Sequence, residues 1–203
     1  MKKRIRRSKM QNKIITISRQ FGSGGRTIGK KIAEKLGYAY YDKELIEKVA
    51  KESGLAPEYI EEQGEYAPSK NPFSYAFVGR SIDGMSVNDY LWNIQRKVIL
   101  ELAEKEPCVI VGRCADYILR EREDCLNVFI HAEEKKRAER IVTLYGETEI
   151  SPGKRLREKD KKRAVNYKYY TDQNWGEACN YHLTLDSGRL GIDNCVKLIC
   201  NLV

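Results

Sequence analysis

The chain has 203 residues, of which 41% are hydrophobic and 33% charged, a composition typical of a water-soluble globular protein. No apolar run reaches the roughly 18 residues of a membrane span, and no apolar segment follows the basic N-terminus as in a secretory leader. We therefore expect a cytoplasmic protein with no membrane partner. The six cysteines include no Cys-x-x-Cys pair and are accompanied by only two histidines, which argues against a zinc site.

The net charge of +8 is concentrated at the N-terminus. Seven lysines and arginines, with no acidic residue among them, lie within the first 13 positions and leave about +1 for the rest of the chain. Residues 1–12 are therefore predicted to form a basic, disordered arm. Such an arm can touch polyanions without specificity, so a nucleic-acid-associated protein stays open as one function class. Specific nucleic-acid binding is not expected.

The first predicted strand, residues 14–17, leads into a glycine-rich loop and then a helix with apolar residues at helical spacing. The loop residues are Gly22, Ser23, Gly24 and Gly25. The backbone N–H groups of such a loop and the positive end of the helix dipole bind phosphate groups. Thr27, in the first turn of the helix, carries a hydroxyl that can ligate magnesium.

The loop departs from the usual phosphate-binding consensus, G-x-x-x-x-G-K-[ST]. If Gly25 is the last glycine of the consensus, Gln20 stands at the first glycine and Arg26 at the lysine. If Gly24 is the last glycine, Gly25 stands at the lysine. Neither register supplies a lysine, so a glycine-rich turn that merely connects a strand to a helix remains an alternative.

Four more strands follow, each separated from the next by helical segments. The predicted strands are residues 38–41, 108–111, 126–130 and 181–185. The predicted helices after the loop helix are residues 43–53, 57–64, 88–105, 115–122, 132–145, 152–170 and 192–202. This alternation predicts a three-layer α/β/α fold around a five-stranded parallel sheet.

Residues that follow predicted strands are candidates for ligand binding, because ligands of parallel α/β sheets gather at the carboxyl ends of the strands. Asp42 follows the second strand, where it can cap the next helix or face a cleft. Arg113 follows the third strand and places a guanidinium at the same edge. Arg80 is the only arginine in the irregular stretch 65–87, where it is a candidate for contacting an anionic substrate or an ordinary surface residue.

The helix predicted over residues 152–170 is densely basic, with eight lysines and arginines. Asp160 and Arg163 lie three residues apart and so share one face of it. A basic helix of this kind can close over phosphates as a lid. A solvated helix face is the alternative.

Several motifs, in this order, resemble the bacterial cytidylate kinase-like family of P-loop nucleoside monophosphate kinases. They read Ser-Arg-Gln-Phe-Gly-Ser-Gly-Gly-Arg, Tyr-Tyr-Asp-Lys-Glu-Leu-Ile, Val-Ile-Val-Gly-Arg and His-Ala-x-x-x-x-Arg-Ala-x-Arg, followed by the basic helix. The resemblance spans about residues 13–203 and implies one P-loop kinase domain. It implies an acceptor-binding region at about 57–87 and a helical lid at about 147–175. The implied reaction transfers the γ-phosphoryl of ATP, with Mg²⁺, to a nucleoside monophosphate or another small phosphorylated acceptor.

The resemblance also implies roles for individual residues. The glycine loop with Arg26 would hold the phosphates of ATP, Thr27 would lie near magnesium, and Arg137 and Arg140 would serve the ATP site. In catalysis the resemblance implies Arg155, Arg157 and Arg163, to which the reading of the residues themselves adds Arg26 and Asp160. In acceptor binding it implies Arg113, to which the residues add Asp42, Arg80 and Asp116, the last as a replacement for the aspartate of Gly-Arg-Asp in true cytidylate kinases, which reads Gly112-Arg113-Cys114 in this chain.

Three function classes follow from these observations. The first is an ATP- and magnesium-dependent phosphotransferase. The second is a nucleotide-binding pseudo-kinase or regulatory module without efficient turnover, which the missing lysine of the loop motivates. The third is a nucleic-acid-associated protein that acts through its basic arm. The sequence predicts neither the acceptor nor the oligomeric state.

Overall fold

The structure is a computed structural model that describes residues 12–63 and 86–203. The strands are β1 (Ile14–Arg19), β2 (Ala39–Tyr41), β3 (Cys108–Val111), β4 (Cys125–His131) and β5 (Leu183–Asp186). The helices are α1 (Gly25–Leu36), α2 (Lys43–Ser53), α3 (Pro57–Gln63), α4 (Val87–Lys105), α5 (Ala115–Ile118), α6 (Glu134–Tyr145), α7 (Pro152–Thr171), α8 (Ser187–Leu190) and α9 (Ile192–Cys200).

The strands form one parallel sheet in the order β2-β3-β1-β4-β5. Its central strands are apolar on both faces because each face is covered by helices. Ile14 and Ile110 pack into a core with α2, α3, α4 and α5, whereas Ile15 and Ile17 pack into a second core with α1 and α9. The predicted three-layer α/β/α fold with a five-stranded parallel sheet is therefore confirmed.

The structure differs from the sequence-based expectations mainly at the ends of helices. Helix α4 is capped by Ser86, whose hydroxyl accepts the Asp89 N–H at 3.1 Å, rather than by Asn88. Helix α5 ends at Ile118, four residues earlier than predicted. Asp42 occupies the N-cap position of α2, but its side chain makes no capping hydrogen bond.

Two expectations fall on residues 1–11 and 64–85, which lie outside the described part of the chain. They are the basic arm, of which only residue 12 is described, and the acceptor region of residues 57–87, which contains Arg80. Within residues 12–63 and 86–203, no helix combines the length and hydropathy needed to cross a membrane.

Candidate functional site

The loop after β1 lies at the carboxyl edge of the sheet and leads directly into α1. Gly22 and Gly24 have φ angles of 76° and 84°, in the left-handed region that glycine adopts without strain. Ser23 is completely buried, and its hydroxyl donates to the Gln20 carbonyl at 2.9 Å. Because α1 begins at Gly25, the N–H groups of its first turn, which precede the intrahelical hydrogen bonds, adjoin this loop.

Neighbouring helices pack so closely on the loop that two of its glycines have no room for a side chain. A Cβ on Gly22 would lie 2.8 Å from the carbonyl oxygen of Arg137 in α6. A Cβ on Gly24 would lie 2.5 Å from Cδ1 of Ile192 in α9. The loop is thus held in one conformation from two sides, which a simple connecting turn does not require.

Two arginines of α6 hold the carbonyl groups of the loop. Nη1 of Arg140 donates to the Gly22 carbonyl at 2.8 Å, and Nη1 of Arg137 donates to the Phe21 carbonyl at 3.1 Å. Fixing these two carbonyls on the α6 side keeps them turned away from an anion bound at the start of α1. Both residues were implicated in the ATP site by the resemblance, and the structure places them against the loop.

The lid helix α7 contacts the same loop through a carboxylate. Oδ1 of Asp160 accepts the Phe21 N–H at 2.7 Å, and Oδ2 accepts from Arg137 at 2.5 Å. Arg163 lies 3.9 Å from the same carboxylate and donates to the Arg19 carbonyl at 3.2 Å. The Asp160 carboxylate is therefore surrounded by one loop amide and two guanidinium groups. Donors of these kinds also bind the phosphate groups of ATP.

A first cleft opens over the loop, between α1, α6 and α7. Its lining includes Arg19, Gly22, Gly24, Gly25, Arg26, Thr27, Arg140 and Arg163. The described residues contain no group of three or more His, Cys, Asp or Glu side chains that could hold a metal ion alone. The exposed Thr27 fits magnesium as one oxygen ligand among phosphates and waters, which is the coordination that Mg²⁺ favours.

A second cleft lies beside the first, where β1 and β3 end. Its lining consists of Ser18, Arg19, Gly112, Arg113, Cys114, Arg163, Asn166, Tyr167 and Trp175. Nη1 of Arg113 donates to the Ile60 carbonyl at 3.0 Å and to Oε1 of Gln95 at 3.4 Å. Arg19 and Arg163 line both clefts, so the two clefts share a wall of two guanidinium groups.

Asp116 opens onto neither cleft. It is 3% exposed, and its carboxylate accepts the hydroxyl of Tyr167 at 2.7 Å. Burial raises the pKa of Asp116 to about 6. The residue that lines the second cleft near this position is Cys114, so the structure does not bring Asp116 to the place that its expected role in acceptor binding requires.

Other expected site residues lie further from the shared wall. Nε of Arg26 pairs with Oδ2 of Asp42 at 2.9 Å, which ties the start of α1 to the end of β2. Arg155, which is half-buried, donates to the Gly146 carbonyl at 2.9 Å, and the exposed Arg157 pairs with Glu134 at 2.9 Å. Neither Arg155 nor Arg157 lines either cleft.

Four residues that line the clefts are not among the sites predicted from the sequence: Arg19, Asn166, Tyr167 and Trp175. Arg19 did carry a signal, because it stands at the first glycine of the consensus when Gly24 is taken as the last. The other three had none, since they reach the second cleft from segments whose distance from β1 and β3 is set only by the tertiary fold.

A parallel sheet of this order, with a glycine loop after its central strand and a basic helix over that loop, is the fold of P-loop kinases. Solved structures with this fold include shikimate kinase from Acinetobacter baumannii in complex with shikimate, with a TM-score of 0.53 and 16% identity over 93% of this chain and 91% of that chain. A gluconokinase from Sinorhizobium meliloti gives a TM-score of 0.51 and 19% identity over 95% and 96% of the two chains. An uncharacterized protein from Eubacterium ventriosum gives a TM-score of 0.70 and 26% identity over 93% and 96%.

The chain belongs to the cytidylate kinase-like family, whose model matches residues 14–189. It is 31% identical over 195 residues to a cytidylate kinase from Archaeoglobus fulgidus, covering 93% of each chain. It is 22% identical over 187 residues to a cytidylate kinase from Pyrococcus furiosus, covering 92% of this chain and 85% of the relative. The family predicted from the sequence motifs is confirmed.

Proposed function

We propose that the protein is an ATP-dependent phosphotransferase that transfers the γ-phosphoryl group to a nucleoside monophosphate or another small phosphorylated acceptor. The observation that carries this proposal is the wall that Arg19 and Arg163 form between two adjacent clefts. Phosphoryl transfer depends on aligning donor and acceptor and on neutralising charge between them. Membership of the cytidylate kinase-like family and relatives named cytidylate kinase support the same reaction.

In this proposal the first cleft takes ATP. The backbone from Gly22 to Arg26 binds the β- and γ-phosphates, while Arg137 and Arg140 keep the loop carbonyls turned away from them. Thr27 contributes its hydroxyl to Mg²⁺. When bound there, the ion would neutralise part of the charge of the phosphates.

The second cleft takes the acceptor, with Arg113 beside its phosphate and Asp42 and Arg80 as further contacts. A phosphate oxygen of the acceptor attacks the γ-phosphorus in line and needs no strong general base, because it is already an anion. Arg163 stabilises the charge on the transferred group, and Asp160 holds Arg163 and Arg137 in position. Arg155 and Arg157 have a smaller role because neither lines a cleft.

The remaining organisation follows from this assignment. Residues 13–203 form one catalytic domain with a lid at about 147–175 and an acceptor-binding region at about 57–87. The basic arm takes no part in catalysis. The expected location is the cytoplasm, where ATP and small phosphorylated acceptors occur together.

The experiment that tests this function combines calorimetric titration with Mg²⁺ and ATP and a coupled ADP-release assay. The assay runs over all nucleoside monophosphates and then a set of other small phosphorylated acceptors. Turnover with one acceptor supports the proposal. ATP binding without turnover on any acceptor would instead identify a pseudo-kinase, and absence of ATP binding would contradict both.

A matched deletion separates the nucleic-acid alternative. A chain that lacks residues 1–12 should keep its ADP-release rate. If the protein acts on nucleic acid through its arm, the deletion should instead abolish a salt-dependent affinity for polyanions.

A further inference from the structure

We propose that Arg19 supplies the cation that the phosphate loop lacks, and that residue 25 is glycine because the side chain of Arg19 fills the adjoining space. The inference rests on the proposed function, since it assigns Arg19 a catalytic contact with the transferred phosphoryl group. It differs from the expectation drawn from the sequence, in which Arg26 replaces the missing lysine.

The start of α1 decides between the two registers of the loop. Gly24 has a left-handed φ of 84° and caps the helix, and Gly25 is its first residue. Gly24 is therefore the last glycine of G-x-x-x-x-G-K-[ST]. In this register residue 19 stands at the first glycine and residue 25 at the lysine. The chain thus has Arg where the consensus has Gly, and Gly where it has Lys.

The two exchanged positions are in contact. A Cβ on Gly25 would lie 2.6 Å from Cβ of Arg19 and 2.9 Å from its Cγ. Both atoms belong to the stem of Arg19 near the backbone, so they cannot move aside as the end of a flexible side chain could. An arginine at position 19 and any side chain at position 25 therefore exclude each other, and the two substitutions are coupled.

The position of Arg19 suits the role better than that of Arg26. Arg19 is 6% exposed and lines both the first and the second cleft. The side chain of Arg26 is 43% exposed and pairs with Asp42 at the far side of the first turn. A cation in a water-poor wall acts on a nearby phosphate more strongly than one facing solvent.

The chemistry of the guanidinium also fits a position between two substrates. Its planar group of N–H donors can contact the γ-phosphoryl group and the acceptor phosphate together, whereas a lysine ammonium acts as a single point charge. During transfer, an acceptor oxygen forms a bond to the γ-phosphorus. The bond between the γ-phosphorus and the bridging oxygen breaks, and ADP leaves with that electron pair. Arg19 acts through its charge and its N–H donors and moves no proton.

The test is a double-mutant cycle in the full chain with Arg19→Gly, Gly25→Lys and both substitutions together. Arg19→Gly should lower kcat/KM by about hundredfold through loss of one charge-stabilising donor. Gly25→Lys alone should also lower kcat/KM, because the Cβ of the new lysine would clash with Cβ and Cγ of Arg19. The double variant restores the first glycine and the lysine of the consensus and should recover to within about tenfold of the wild type, which independent sites would not do.

A second variant, Arg19→Met, keeps the aliphatic part of the side chain and removes the charge. It tests the role of the charge even if a glycine at position 19 destabilises β1. It should lower kcat/KM by about hundredfold and weaken ATP binding by about tenfold, with an unchanged melting temperature. Arg120→Met, in the turn before β4 at the opposite edge of the sheet, is the control and should match the wild type.

Wild-type-like kcat/KM and ATP affinity in Arg19→Met would overturn the inference. So would a well-folded double variant that is no more active than Gly25→Lys. Both results leave the proposed function standing. Absence of ATP binding in the wild type would instead remove the proposed function itself, so the two failures are distinguishable.

Discussion

The two clefts that share Arg19 and Arg163 are built in different ways. The first is shaped by backbone, since Gly22 and Gly24 set the loop conformation and α6 and α9 leave no space for other residues. The second is shaped by side chains from separate parts of the chain, among them Arg113 after β3 and residues of α7. A backbone site tolerates few sequences, whereas a side-chain site can change its preference by substitution. We therefore expect the side chains of the second cleft, as the proposed acceptor site, to set the acceptor preference.

The clefts also differ in what lies beneath them. The loop of the first cleft rests on apolar residues and on arginine bonds to its carbonyls. A buried carboxyl group, that of Asp116, lies under the second cleft and is bonded to Tyr167 from the lid helix. A carboxyl group whose pKa burial raises to about 6 therefore lies beneath the second cleft.

The largest effect is expected from Gly24→Val, which changes the loop that forms the first cleft. Valine would have to adopt φ of 84° and its Cβ would meet Ile192 and Arg140. We expect about 3 kcal/mol less stability from strain and overpacking. ATP affinity should fall about hundredfold or more through displacement of the loop. Calorimetry with ATP and a denaturant titration measure the two effects.

Gly37→Val is the matched control for this change. Gly37 has a similar φ of 69°, but a Cβ there would meet nothing within 4 Å. It should cost about 1–2 kcal/mol from backbone strain and leave ATP affinity unchanged. Equal ATP affinity in both variants would mean that the loop is only a turn.

The next largest effect is expected from Arg113→Met, which removes a charged side chain from the second cleft. Loss of its guanidinium should lower kcat/KM for the acceptor roughly hundredfold, since a charged bond to the acceptor phosphate is lost. The dissociation constant of ATP should stay within about twofold, because the donor cleft does not include this residue. Arg122→Met is the control, since Arg122 pairs with Asp124 at the amino edge of the sheet. Equal losses of ATP and acceptor binding would contradict the separate roles of the clefts.

The fold could be predicted because buried parallel strands need continuous apolar runs, and β3 matches the prediction residue for residue. Helix ends were less predictable, since Ser86 and Asn88 are both good caps and packing selects between them. The glycine loop was visible for the same reason as the sheet: its backbone conformation demands particular residue types.

The second cleft could not be predicted in the same way. Tyr167 and Asp116 are 51 residues apart and meet only because the lid helix packs over α5. The relation between Arg19 and Gly25 likewise depends on how close a Cβ at position 25 would lie to the side chain of Arg19. Such pairings leave no periodic pattern in one sequence.

Asp116→Asn tests the buried carboxyl group under the acceptor cleft. Its pKa of about 6 lies above that of an aspartate in the unfolded chain. Between these values the folded protein holds a proton that the unfolded chain has lost, so its contribution to stability is present at low pH and lost as the pH rises through 6. Relative to Asp116→Asn, the wild type should therefore lose about 2 kcal/mol between pH 4 and pH 7.

Denaturant titrations of both proteins across this pH range measure the difference. Asp124→Asn is a control of opposite sign, since the hydrogen bond from Arg122 lowers the pKa of Asp124. A difference between the wild type and Asp116→Asn that does not vary with pH would show that Asp116 ionises normally in the folded protein.

The smallest effect is expected from Arg157→Met, which tests whether a residue of α7 that lines neither cleft takes part in the reaction. Arg157 and its partner Glu134 have side chains that are 67% and 52% exposed, and an exposed pair of this kind contributes about 0.5 kcal/mol or less. We expect kcat/KM within about threefold of the wild type, against a loss of about hundredfold for Arg163→Met.

A tenfold or greater loss in Arg157→Met, at unchanged melting temperature, would mean that α7 moves during the reaction and brings Arg157 over the transferred phosphoryl group. In that case the shared wall of Arg19 and Arg163 would be only part of the charge-stabilising machinery, and the lid would complete it.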